Sequence, residues 1–300
     1  MTTPIPIQLN GVTKTFGSVH AVENVTATIN PGQVTGFLGP NGAGKTTTLR
    51  ILLGLVAATS GSATFGGTAY RDLASPLTTV GAALEAGSFH PGRSGRNHLA
   101  VYATAARIPK ARISVVLDMV GLTSAADRRV GGYSLGMRQR LGLAYALLGD
   151  PQVIVLDEPI NGLDPEGIKW IRGFLKQLAA EGRTVLISSH MLSEVQQTVD
   201  EVLVIRNGKL VYTGSLAQLE SRHATAVLVA SPTPDALQSA LVTAGFAPQQ
   251  TPTGFLVPNA NAAAIGHLAF TERVELHELQ QQNTGLEDTF LELMSEGETR

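Results

Sequence analysis

Three hundred residues, 43% of them apolar, leave room for a proper core in one domain of ~200–220 residues plus a small appendage. A formal net charge of −2 argues against a general nucleic-acid binder, which would carry a basic face, and the absence of cysteine excludes disulfides, thiol catalysis and cysteine-ligated metal. Met1–Leu9 lacks the basic start and apolar core of a signal peptide, and the longest apolar stretch, Ile51–Ala58, falls far short of the ~20 residues that span a bilayer, so any membrane channel is expected on another polypeptide.

Ile7–Phe16 and Val22–Ile29 read as strands, closed by the turn signal Asn30-Pro31-Gly32, and Gln33–Leu38 reads as a short apolar strand. A glycine loop follows, Gly39-Pro40-Asn41-Gly42-Ala43-Gly44-Lys45-Thr46, and the apolar run from Thr46 to Val56 predicts a helix. The loop matches G-x-x-x-x-G-K-[ST], in the strand–loop–helix context that the motif needs. Its glycines let the backbone curl until successive N–H groups face phosphate oxygens, and the helix N-terminus adds a positive dipole end. Lys45 can then reach the β- and γ-phosphates of ATP, and the Thr46 hydroxyl can ligate Mg²⁺; Thr47 belongs with the same turn. The plain alternative, a glycine-rich turn with a chance lysine, does not explain the flanking elements.

Farther along, Pro91-Gly92 and Ser94-Gly95 mark a loop, and Ala111–Val120 predicts a helix with Ile113, Val116, Leu117 and Val120 on one face and Gly121 as C-cap. A helical insertion is expected over about 86–135. The α/β pattern returns with a helix at Leu141–Leu148 and a buried parallel strand at Val153–Leu156. That strand ends in Asp157-Glu158, which sets two carboxylates beside the glycine loop. Asp157 would hold Mg²⁺ through water and Glu158 would polarise the attacking water; the plainer alternative is a strand ending in a solvated acidic turn. Asp164-Pro165 opens a helix with Ile168, Ile171, Leu175 and Leu178 inward and Gly182 past its end, and Thr184–Ser189 is a strand. Val202–Ile205 and Lys209–Tyr212 flank the hairpin signal Asn207-Gly208. Beyond Ser221 the composition shifts. Pro232, Pro234, Pro248 and Pro252 punctuate short segments, among them a strand at Ala226–Ala230, a helix at Asp235–Ala244 and an amphipathic helix at Gly285–Met294. This stretch, 221–300, reads as a small separate α/β module.

Tyr133-Ser134-Leu135-Gly136-Met137-Arg138-Gln139-Arg140, about 20 residues before Asp157, resembles the signature of ATP-binding-cassette (ABC) proteins, usually L-S-G-G-Q. Ser134 and Gly136 match it, whereas Tyr133, Leu135 and Met137 depart in the manner of subfamilies that export drugs and peptide antibiotics. A serine and a glycine opening a helix offer N–H donors to a γ-phosphate, although in isolation Ser134 would read as an ordinary N-cap. Ile160-Asn161-Gly162-Leu163-Asp164 looks like the family's D-loop, and His190 matches its switch histidine. Phe16 matches the aromatic that stacks on adenine, or else is a core phenylalanine at a strand end. The family's usual glutamine is missing: no glutamine occurs from Val34 to Arg138, and Glu85 stands in its place, either as a Mg²⁺-touching sensor or as a plain loop acid.

The resemblance covers about residues 5–220. It implies a P-loop α/β core with an antiparallel β subdomain and an inserted helical subdomain, binding ATP and Mg²⁺. Two cassettes, expected to be identical, would pair head to tail, so that the glycine loop of one faces the Ser134 segment of the other. Separate integral membrane subunits, reached through the loop around Glu85–Asn97, would place the chain on the cytoplasmic face of the cell membrane as the ATPase of an exporter, without nucleic acid. The competing class is a soluble ABC protein acting on ribosomes or chromosomes, which usually carries two cassettes or long coiled coils and basic surfaces, none of which appear here. A regulatory module with little turnover is opposed by the intact Asp157, Glu158 and His190.

Overall fold

A computed structural model describes residues 4–84, 89–221 and 225–283, with Phe290, Leu293 and Met294. Glu85 and most of the Gly285–Met294 segment therefore lie outside the described residues. The chain divides into two compact units, Met1–Leu216 and Ala217–Arg300.

The first unit is built on a six-stranded sheet in the order Val80–Ala83, Val153–Leu156, Thr184–Ser189, Val34–Leu38, Glu201–Arg206, Lys209–Ser215. Every neighbouring pair is parallel except the last, a hairpin through Asn207-Gly208. The inner strands Val34–Leu38, Val153–Leu156 and Thr184–Ser189 are buried at every position, which is why they read as unbroken rather than alternating runs. A second, antiparallel sheet has the order Val19–Ile29, Ile7–Phe16, Ser60–Phe65. Its inner residues Ile7, Val25 and Phe65 share a core with Phe37 of the main sheet and with Leu49 and Leu52 of the helix Lys45–Leu52.

That helix is shorter than its apolar run. It stops at Leu52 because Gly54 takes a left-handed φ of 69° and the N–H of Leu55 turns back to the Arg50 carbonyl at 2.8 Å. The remaining apolar residues then leave the helix, and Leu55 is 66% exposed. The helical insertion comprises Gly95–Ala105 and Ala111–Met119, the latter burying Ile113, Val116 and Leu117, with Gly121 at φ 67° beyond its end. The next helix runs over Leu135–Ala146, starting well before the expected Leu141 because Ser134 caps it. Pro165–Ala180 follows, capped by Asp164, whose Oδ1 accepts the Gly167 N–H at 2.9 Å.

The second unit runs strand Thr225–Ala230, helix Pro234–Thr243, strands Gln249–Gln250 and Phe255–Pro258, helix Ala262–Thr271, strand Glu278–Asn283. Its antiparallel sheet places the third and first strands at the centre, with the second and fourth outside, the ferredoxin-like order. Val227, Val229, Leu237, Leu241, Phe255 and Ile265 form its own core. No helix among the described residues is long and apolar enough to cross a membrane.

Candidate active site

Because the strands ending at Ala83, Leu156, Ser189 and Leu38 are parallel neighbours, the loops that follow them leave the same edge of the sheet, where α/β folds bind ligands. The glycine loop, the two acids and His190 meet there for that topological reason.

The loop closes onto the helix Lys45–Leu52, whose first N–H groups have no side-chain cap. Gly44 sits at φ 109°, and a Cβ there would lie 2.4 Å from the Ala21 carbonyl oxygen, so only glycine fits. Lys45 is 5% exposed, and its Nζ donates to the carbonyls of Gly39 at 2.6 Å and Pro40 at 3.2 Å. The same ammonium is 3.5 Å from Glu158 Oε1. A buried cation thus stands within the glycine loop, held by two of its carbonyls, and positive charge in such a loop suits phosphate oxygens.

Thr46 Oγ1 donates to Asp157 Oδ2 at 2.8 Å, while Asp157 Oδ1 accepts from the Ser188 hydroxyl. Hydroxyl and carboxylate oxygens side by side are the hard donors that Mg²⁺ takes, so these residues fit the ion. Ser188 Oγ also accepts the Glu158 N–H at 2.9 Å. Glu158 has a φ of 50°, an unusual conformation for a non-glycine residue that costs about 1–3 kcal/mol and is held by its surroundings. Its Oε2 lies 2.9 Å from His190 Nδ1. The carboxylate is therefore aimed by an imidazole on one side and an ammonium on the other.

Sequence reasoning did not single out Ser188. It is fully buried and stands where an apolar strand turns polar, and the register pairing Leu156 with Ile187 brings it beside Asp157. Two serines closing an apolar strand next to a candidate histidine were the available signal.

Other expected site residues are placed differently. Phe16 ends its strand 50% exposed, with Lys14 Nζ 4.8 Å from the ring centroid, so it is not a core phenylalanine. Ser134 Oγ accepts the Met137 N–H at 3.2 Å within its own helix. Among the described residues, no hydrogen bond or ion pair joins Ser134, Leu135 or Gly136 to residues 39–46. Instead, Ser134 and Gly136 border a cleft of about 360 Å³ shared with Arg128 and Asp164. Glu85 lies outside the described residues; the strand before it is tied to the site by the Asp157 N–H, which donates to the Ala83 carbonyl at 2.9 Å.

A second cleft, about 380 Å³, opens between Arg50, Leu55 and Tyr70 on one side and Phe89, Tyr102 and Tyr145 on the other. His98 forms part of its wall, edge-on to Phe89 at 4.8 Å and to Tyr102 at 5.0 Å. Burial, with a smaller contribution from Arg93, holds the His98 pKa below its ordinary value.

A phosphate loop on a parallel sheet, a lysine inside it and paired acids on the adjacent strand end define a P-loop nucleotide hydrolase. Comparison with known proteins narrows the class: the ABC transporter family matches residues 22–161, and a domain of unknown function matches residues 225–287. The uncharacterized ABC transporter ATP-binding protein YhcH of Bacillus subtilis (strain 168) is 34% identical over 97% of this chain and 96% of its own. The bacitracin transport ATP-binding protein BcrA of Bacillus licheniformis is 42% identical over 72% of each chain, and the lantibiotic transport ATP-binding protein SrtF of Streptococcus pyogenes is 38% identical over 70% of this chain and 92% of its own. Among solved structures, an ATP-binding cassette of an ABC transporter in its ADP conformation superposes with a TM-score of 0.64 at 25% identity, covering 73% of this chain and 96% of that one. The chain belongs to the ATP-binding subunits of ABC transporters, and it is an ATPase.

Proposed function

We propose that this subunit powers an exporter of drugs or peptide antibiotics, working as a head-to-tail pair of identical cassettes on separate membrane subunits at the cytoplasmic face of the cell membrane. The observation that supports the pairing is that, among the described residues, no hydrogen bond or ion pair joins Ser134–Gly136 to the Lys45 loop within one chain. Each chain supplies donors for one side of a nucleotide and a second set, at the Ser134 helix start, that its own loop does not use. The relatives named for bacitracin and lantibiotic transport support the exporter reading. A soluble protein of ribosomes or chromosomes is not favoured, since these relatives are transport proteins.

In this mechanism the loop amides and Lys45 Nζ bind the β- and γ-phosphates, and Phe16 stacks on adenine. Thr46 and Asp157 would hold Mg²⁺, which when bound screens the charge between the phosphates; Glu85 either shares that task or is a loop acid. Glu158 accepts a proton from the water that attacks the γ-phosphorus, as a P–O bond forms to that water and the bond to the bridging oxygen breaks, leaving ADP and phosphate. His190 keeps the Glu158 carboxylate aimed. Ser134–Gly136 of a second copy covers the far side of the nucleotide, so hydrolysis loosens the pair. The aromatic cleft at Leu55, Tyr102 and Tyr145 is the seat for a membrane subunit, next to the Val80–Ala83 strand that contacts Asp157.

Growth of a strain lacking this gene tests the function. It should lose tolerance to at least one peptide of a bacitracin and lantibiotic panel, regaining it with the wild-type gene but not with Lys45→Ala. Unchanged tolerance to the whole panel, or restoration by Lys45→Ala, would overturn the reading.

A further inference from the structure

Glu194 follows His190 on the short helix Leu192–Val195. Its carboxylate has no part in the hydrolysis derived above, yet it is fixed in place. Oε2 accepts the Ser189 hydroxyl at 2.8 Å, and the main-chain carbonyl accepts Arg172 at 3.0 Å. Hydrogen-bonded support of that kind orients a metal ligand before the ion arrives. One ligand atom from each of Glu158, His190 and Glu194 lies within 4.8 Å of the other two, and all three residues are half-buried. Among the described residues this is the one group of three His, Cys, Asp or Glu side chains close enough to share an ion. The donor set selects the metal. Mg²⁺ takes oxygen ligands and keeps its water, and Thr46 with Asp157 suits it. An imidazole with two carboxylates suits Zn²⁺ and its neighbours Co²⁺ and Ni²⁺. With Zn²⁺ bonds of about 2.0–2.2 Å, ligand atoms of a tetrahedron stand about 3.4 Å apart, a small side-chain rotation from the spacing seen. Lys45 leaves the position open, because its ammonium lies by Oε1 of Glu158 whereas His190 faces Oε2.

We propose that Glu158, His190 and Glu194 form a site for a transition-metal dication of the Zn²⁺ type, distinct from the Mg²⁺ position at Thr46 and Asp157, and that filling it stops hydrolysis. The ion takes the Glu158 carboxylate and the His190 imidazole for itself, replacing the 2.9 Å contact between them. A carboxylate bound to a dication has little basicity left with which to accept a proton from water. The glycine loop and Lys45 stay free to bind nucleotide, so the subunit is loaded but does not turn over. The site does not depend on the pairing of cassettes or on what is exported. The inhibition rests on Glu158 as the proton acceptor, whereas the binding does not.

The test uses the full-length protein, with Co²⁺ and Zn²⁺ as probes. Co²⁺ held by an imidazole and carboxylates absorbs visible light more strongly than the hydrated ion, and Zn²⁺ should displace it. Wild type should take up one Co²⁺ per chain in this band. His190→Ala and Glu194→Gln should each weaken that uptake by about tenfold or more, while His267→Ala, at an exposed histidine of the second unit, changes it less than twofold. Zn²⁺ buffered to fill the site should lower ATP hydrolysis in saturating Mg²⁺ by about tenfold or more, reversibly on adding a chelator, with binding of a fluorescent ATP analogue changed less than twofold. Should both site variants fail to fold, X-ray absorption at the zinc edge of wild type decides: one imidazole nitrogen among oxygens is expected, and two or more imidazoles, or none, would overturn the site. Unchanged Co²⁺ uptake in both folded variants, or its loss in His267→Ala, would overturn it as well. A filled site with full turnover would overturn the inhibition. Wild-type hydrolysis by Glu158→Gln would instead remove Glu158 as the proton acceptor, and the inhibition with it, while Co²⁺ uptake still decides the site.

Discussion

Ser188 holds the acid pair together. Its hydroxyl donates to Asp157 and accepts from the Glu158 N–H, so one buried group fixes the side chain of the first acid and the main chain of the second. Ser188→Ala leaves both groups without that partner inside the protein, at a cost of about 1–3 kcal/mol. The expected outcome is a lower denaturant midpoint together with slower phosphate release; an unchanged midpoint with unchanged turnover would contradict this account of the site. Lys45, Asp157, Glu158 and His190 were legible because each sits in a local pattern: a glycine loop, an apolar strand ending in acids, a histidine after the next strand. Ser188 was not, because its role depends on strand register with a residue 31 positions away.

At the scale of elements, the sheet was readable and the helix ends were not. Parallel strands buried on both faces announce themselves as apolar runs, whereas the end of the Lys45–Leu52 helix is decided by one left-handed glycine inside an apolar stretch. The Leu135–Ala146 helix hid its start because its first turns carry Arg138, Gln139 and Arg140, and only the Ser134 cap marks it. The strand Glu201–Arg206 carries a testable electrostatic weakness. Burial, and then Asp200 beside it, push the Glu201 carboxyl above its ordinary range. The folded state therefore binds this proton more tightly than the unfolded chain does. The stability it gives is fully present below the unfolded value and is lost as pH rises through the folded one. Glu201→Gln should raise the melting temperature at pH 7, with the gain shrinking toward pH ~4, near the ordinary carboxylate value. A series of thermal melts between those limits checks it; a pH-independent difference would contradict the assignment.

For the whole molecule, the composition shift after Ser221 and the unit boundary after Leu216 fall close together, and the second unit builds its own core from Val227, Leu237, Phe255 and their neighbours. Its sheet order could not be read beforehand, because Gln249–Gln250 is too short and too polar to register as a strand. Among the described residues no hydrogen bond or ion pair joins the Ser134 turn to residues 39–46, and this makes pairing the central claim. Glu158→Gln removes the carboxylate proposed to take the proton from water while keeping the loop, the lysine and the helix donors. Light scattering of that variant after gel filtration, with ATP and Mg²⁺ and then with ADP, tests the claim directly. The account predicts a particle of twice the monomer mass with ATP that returns to the monomer with ADP; a monomer under both conditions would contradict it.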